Sequence, residues 1–238
     1  MAKSTKNEIL DAAEALFAEQ GFNQTSMREI TSRAGVNLAS VNYHFGSKKN
    51  LIQAVLKRYF DVLMPEIDRA LSQLPQATGQ AGIACLFDAL IPPMISLGEF
   101  RHWGTERFVL LLGRGYAETQ GHLRRFIMQF YGTTVRKLLD EVHHRLPEVS
   151  DEEIFWRLHF AMGSFVFSMA SSRALKEIAE SDFRQTVGII EVIQHMVPFI
   201  AHGMAGTMPG TIPDTSTEPD TLSGSDTATD SPSGLSGG

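Results

Sequence analysis

Residues 29–49 read EITSRAGVNLASVNYHFGSKK, and the punctuation of this stretch decides the fold. Ser26 followed by Glu29 is a capping-box signature, which starts a helix at Met27 with Met27, Ile30 and Ala34 on its inner side. Gly35 supplies the turn that follows, and Asn37 can cap a further helix that Gly46 confines to about ten residues. Val41, Tyr43 and Phe45 include the packing anchors of that short helix, while Ala39, Ser40 and Asn42 suit its outer face. Such a unit is built to present base-reading and phosphate-binding groups, not to enclose a substrate.

Upstream, Ile9, Leu10, Ala13, Leu16 and Phe17 recur at three-to-four spacing and predict a helix over 6–20, ended by Gly21, with Phe22 packed beneath it. Downstream, Ser47 can cap a long helix over 48–74, with a kink or boundary expected at Pro65. Residues 75–82 read as a linker. Beyond them the pattern stays helical over 83–96, broken around Pro92 and Pro93, then over 99–113, 119–145, 151–174 and 182–202. No alternating strand pattern with hairpin signals occurs. The expectation is an all-α chain: a three-helix, helix-turn-helix DNA-binding domain at 1–50, joined by a long fourth helix to a larger helical ligand-binding and dimerisation domain at 51–202. Residues 203–238 are rich in Gly, Pro, Ser, Thr and Asp, and predict a disordered acidic tail.

Charge separates these parts. The 238-residue chain has a formal net charge of −6, yet residues 1–60 hold 8 Lys/Arg against 5 Asp/Glu. Only the N-terminal unit therefore suits a polyanionic partner. A single cysteine, Cys85, excludes an intrachain disulfide, and no zinc-type Cys/His spacing occurs. The N-terminus lacks a signal-type apolar core and no run of 18 apolar residues is present, so a cytoplasmic protein without a membrane partner is expected.

A major groove admits one helix whose first residues are small enough to approach closely and still offer donors or acceptors. Asn37, Leu38, Ala39, Ser40 and Asn42 fit that need: Asn42 can read adenine or meet phosphate, Ser40 can do either, and Leu38 or Ala39 can meet a thymine methyl. An ordinary solvated helix face is the competing reading. Thr25, Ser26 and Arg28 at one helix start, Tyr43 and His44 at a helix end, and Lys48 at the next start are candidate phosphate contacts flanking that face. One such unit spans too few base pairs for selectivity, so two copies on a palindrome in double-stranded DNA are expected, which requires a homodimer. Phe160, Gly163, Phe167 and Ala170, with Val187, Ile190, Ile193, Gln194 and Val197, are candidates for its interface.

The middle of the chain is rich in aromatic and methionine side chains, most of them plain core. Prolines in or beside helices leave gaps that suit a long apolar ligand. Phe60, Met64, Trp103, Arg107, Phe126 and Phe130 are the candidate ligand contacts, with Arg107 placed for an acidic head group unless it serves a surface ion pair. No phosphate loop, nucleophile elbow, HExxH or paired-carboxylate constellation occurs, so neither an enzyme nor a cofactor is expected.

The quoted motifs resemble those of the TetR/AcrR transcriptional regulators: ILDAAEALFAEQGF, then TSMREITSRAGVNLASVNYHFGSKKNLIQAV, at the family's usual offsets. The resemblance implies that residues 38–44 lie in the major groove, that Tyr43, His44 and Lys48 meet phosphates, and that the fourth helix transmits the state of a ligand pocket. VNLASVNYHFGSKKNLIQAV and LLLGRGYAE are most similar to fatty-acid-responsive regulators of the PsrA type. That likeness implies a repressor of fatty-acid metabolism genes released by long-chain fatty acid or acyl-CoA. An apolar-ligand carrier, or a helical protein-interaction module without specific DNA binding, is the alternative.

Overall fold

The computed structural model describes residues 4–118 and 121–206. They form ten helices: α1 (Thr5–Gln20), α2 (Met27–Ala34), α3 (Leu38–Phe45), α4 (Lys48–Leu71), α5 (Gly79–Phe100), α6 (Gly104–Ala117), α7 (Gly121–Arg145), α8 (Asp151–Ala170), α9 (Ser172–Phe183) and α10 (Ile189–Ala205). Helices α1 to α3 close a small bundle around Ile9, Ala13, Phe17, Phe22, Ile30, Val41 and Phe45. Phe22 meets Phe17 edge to face, with ring centroids 5.2 Å apart, beneath α1. The same core continues through Leu51, Val55, Tyr59 and Phe60 of α4 into Phe108 of α6 and Phe126 of α7. A second core joins α4, α5, α7, α8 and α10 through Leu71, Ile83, Leu86, Val142, Ile154 and Ile200.

Several boundaries differ from those the sequence predicts. Helix α4 runs unbroken through Pro65, and α5 through Pro92 and Pro93. An interior proline forfeits a backbone hydrogen bond, but tertiary burial of Ile83, Leu86, Pro93 and Leu97 outweighs that local penalty in α5. Helix α5 also begins at Gly79, inside the expected linker. Buried Arg145 fastens that region, donating to Gly82 O and Pro75 O at 3.1 Å each and pairing with Glu141. A side chain at position 82 would collide with Ala77 O, so glycine is required there.

Helix α6 starts at Gly104, five residues later than expected, after Trp103 turns the chain in a left-handed conformation at φ 61°. Helix α9, unforeseen in 175–181, packs chiefly on α8. Helix α10 runs to Ala205, so residues 203–205 are helical and not part of the tail. The expected disorder of the rest of the tail lies outside the described residues. Helix α5 is long and apolar enough to cross a membrane by length and composition, yet it packs against α4, α6, α7 and α10.

Candidate nucleic-acid interface

Local chemistry fixes the small bundle. Ser26 Oγ accepts from Glu29 N at 3.2 Å while Glu29 Oε2 accepts from Ser26 N at 2.6 Å, a reciprocal cap on α2. Those hydrogen bonds hold the Glu29 carboxyl below the usual range. Gly35 ends α2 at φ 66°, a conformation that costs glycine nothing. Asn37 Oδ1 then caps α3, accepting from Ser40 N at 2.8 Å and from Ser40 Oγ at 3.0 Å.

Helix α3 buries Val41 and Phe45 and turns the rest outward. Leu38 is 45% exposed and Tyr43 87%, with Ala39, Asn42 and His44 also exposed. Positions 38, 39, 42 and 43 are related by steps of three and four, so they form one continuous outer face. Tyr43 belongs to this face and not among the packing anchors. Its ring meets His44 edge to face at 5.2 Å. Beside α3, Ser26 and Arg28 are exposed at the start of α2, and Lys48 at the start of α4 donates to Asn23 O at 3.3 Å.

Thr25 stands apart from the other expected contacts. It is fully buried, and its hydroxyl donates to Gly21 O at 2.7 Å, so it closes the α1–α2 link and does not face a partner. Arg33 is likewise engaged, in a two-pronged pair with Glu19 at 2.6 and 2.8 Å.

Contacts of three acids that sequence reading missed tie this bundle to the rest. Glu14 of α1 has no solvent exposure, and Arg58 of α4 and Arg107 of α6 reach its carboxylate at 3.3 and 3.2 Å. Asp11 pairs with Arg58 and Arg101 at 2.8 and 2.7 Å. Burial, and then the charge of Glu14, push the neighbouring Tyr59 phenol far up. At the other end of α6, Glu118 accepts from Phe22 N and Asn23 N at 3.1 and 2.5 Å. The only signal for Glu14 in the sequence is an acid one residue from the apolar stripe of α1.

The candidate ligand contacts separate into three groups. Phe60 and Phe126 are buried and, with Phe130, meet around Tyr131 at ring distances of 5.3, 6.0 and 6.5 Å; Met64 packs on the same core. Phe130 is itself 56% exposed. Trp103 is exposed at the α5–α6 turn, and Arg107 is occupied by Glu14. Two open grooves lie elsewhere and are lined by none of the six: one between α4 and α5, one among α8, α9 and α10.

The outer face of α8 carries exposed Phe155, Trp156, Phe160 and Phe167, and α10 adds Phe199. Gly163 and Gln194 are also exposed and Val187 is half-buried, whereas Ile193 and Val197 pack inside the subunit and so leave the expected interface set. The side chains of Ala170 and Ile190 lie outside the described residues.

The N-terminal helices thus form a helix-turn-helix unit carried on a larger helical body. Residues 9–55 match the model of the bacterial regulatory proteins, tetR family, and residues 88–203 match that of the tetracyclin repressor-like C-terminal domain. Together these cover about two thirds of the sequence, and the chain belongs to the TetR family. It is 33% identical over 91 residues to the probable HTH-type transcriptional regulator YttP of Bacillus subtilis, covering 38% of this chain and 44% of that protein. It is 34% identical over 80 residues to the HTH-type transcriptional repressor KstR2 of Mycolicibacterium smegmatis, covering 32% and 39%. The chain thus aligns with less than half the length of these relatives. In fold it is similar to the fatty acid degradation regulator FadR of Bacillus halodurans, with a TM-score of 0.53 at 14% identity over 87% of this chain and 97% of that one. A putative tetR family regulator from Shewanella sp. PV-4 gives 0.55 at 17% identity, over 85% and 99%.

Proposed function

We propose that the chain is a ligand-responsive, homodimeric DNA-binding transcriptional regulator that represses fatty-acid metabolism genes from a palindromic operator and is released by long-chain fatty acid or acyl-CoA. The observation that carries the DNA reading is the outer face of α3, where Leu38, Ala39, Asn42 and Tyr43 stand free while Val41 and Phe45 hold the helix on its core. Asn37, Ser40, His44, Ser26, Arg28 and Lys48 surround that face with groups for phosphate or base edges. Acting on DNA, the protein works in the cytoplasm.

Dimerisation is assigned to the exposed aromatic face of α8 with Phe199 of α10, because exposed aromatic surface of this kind marks an interaction site. The acyl reading is supported by the aromatic cluster of Phe60, Phe126 and Phe130 with Met64. An acyl chain parts that cluster, and its acidic head competes with Glu14 for Arg107, next in sequence to the core residue Phe108. Loss of that pair frees α1 from α6 and alters the separation of the two heads. A ligand preference of about 1.4 kcal/mol for the freed state shifts the equilibrium between the two states tenfold.

The test is a gel shift on the DNA upstream of the protein's own gene, with and without oleate or oleoyl-CoA. Selective binding that the acyl compound abolishes supports the proposal. Binding indifferent to acyl compounds removes the effector assignment, and failure to select any DNA favours the carrier or interaction-module alternative.

A further inference from the structure

Helices α4 and α7 lie side by side and run in the same direction. Gln53 meets His122 at 3.4 Å, Asp61 meets Tyr131 at 2.7 Å, and Asp68 meets Lys137 at 2.9 Å, so positions rise together along both helices. Lys49 sits one turn before Gln53 on the same face of α4, and Arg125 one turn after His122 on the same face of α7. The Gln53–His122 contact therefore lies between two cations on one seam, Lys49 a turn before it and Arg125 a turn after it, about 10 Å apart along the axes.

Among the described residues nothing neutralises them. Both side chains are exposed, and neither has an ion pair or hydrogen bond among the described residues. Neither α4 nor α7 has an acidic residue in its first turn. Glu118 is held by the amides of Phe22 and Asn23, and Asp61, about three turns along α4 from Lys49, by Lys57 at 2.6 Å. His122 feels the result: burial first, then the charges of Lys49 and Arg125, make its imidazole harder to protonate.

Side chains on a helix lean toward its N-terminus. Both Lys49 and Arg125 thus lean toward the end of the seam where Lys48 reaches Asn23, beside Ser26 and Arg28 of α2. We infer that Lys49 and Arg125 form a second phosphate-binding patch, shared between the reading head and α7, which grips the DNA backbone outside the segment read by α3. The inference rests on the DNA-binding reading above, and it gives the ligand-bearing body a direct hold on DNA. An effector that shifts α7 against α4 would then loosen that hold as well as move the heads.

Full-length protein and duplexes from its footprinted upstream site provide the test, read by fluorescence anisotropy between 50 and 200 mM salt. One duplex is trimmed to the footprint's core and the other carries about ten extra base pairs, one helical turn, on each side. Each phosphate neutralised contributes about 0.9 to the slope of log affinity against log salt. Arg125→Ala, present in both subunits, is expected to make the slope on the long duplex shallower by about 1.8, and Lys49→Ala with it by about 3.6. Arg125→Lys is expected to keep the slope, which separates charge from folding. On the trimmed duplex, wild type and variants are expected to converge. Unchanged slopes in variants that bind the long duplex overturn the patch alone, whereas a wild-type protein that selects no DNA overturns the reading beneath it.

Discussion

Glu14 has no contact with solvent and is ringed by Arg58, Arg101 and Arg107, so its removal leaves Arg107 without its acid partner and Asp11 alone to balance Arg58 and Arg101. Breaking a buried pair from one side costs about 3 kcal/mol. Glu14→Gln is expected to lower the urea midpoint by the equivalent of about that amount, less to the extent that the partly exposed arginines rehydrate. If unfolding is unaltered, the junction does not carry the load assigned to it. His122 makes a prediction of opposite sign to most histidine contacts. Its folded pKa lies below the ordinary value of about 6.5, so between the two the unfolded chain binds more protons. The resulting stability is complete above pH of about 6.5 and is lost as pH falls through the folded value. Wild type is expected to lose more stability than His122→Gln between about pH 7.5 and 5.5, by urea titration at each pH. Sequence could assign neither residue this role, because a buried acid and a crowded imidazole acquire their roles from helices distant along the chain.

Among elements, α2 and α3 were the most legible because their termini are set by local bonds: Ser26 with Glu29, Gly35, and Asn37 with Ser40. Ser26→Ala removes one cap hydrogen bond and is expected to lower stability by about 1 kcal/mol, measured by thermal or urea unfolding. The same local logic misplaced α5, where prolines read as breaks and Gly79 read as linker. There the deciding contacts are Arg145 with Gly82 and Pro75, from 63 and 70 residues away along the chain. Pro92 is exposed, so Pro92→Ala sacrifices little packing and restores a helix former. It is expected to raise stability by about 1 to 2 kcal/mol, the helical gain being partly offset by a more flexible unfolded chain. The candidate site divides in the same way. The outer face of α3 follows from spacing, whereas Thr25 is turned inward onto Gly21 O and Leu16 O in the α1–α2 link and Arg107 is paired with Glu14 from across the bundle.

At the scale of the whole molecule, the proposed dimer makes the affinity for DNA depend on how many cations two heads place on phosphate at once. Phe160 at 60% and Phe167 at 64% exposure share one side of α8, and burying them across a two-fold axis is the proposed means of pairing the heads. A glutamate at position 160 leaves the subunit core untouched, because that core uses Ile154 and Ala161 instead. It places two like charges against an apolar partner, one from each subunit, which association cannot accommodate. Phe160→Glu is therefore expected to be monomeric by light scattering at concentrations where wild type is dimeric, with its helical circular dichroism retained. A monomer engages half the phosphates, so its salt slope on operator DNA should be about half that of wild type. The two readouts must move together: a variant that stays dimeric returns the α8 face to the solvent, and a monomer with an unaltered slope shows that the heads never acted as a pair.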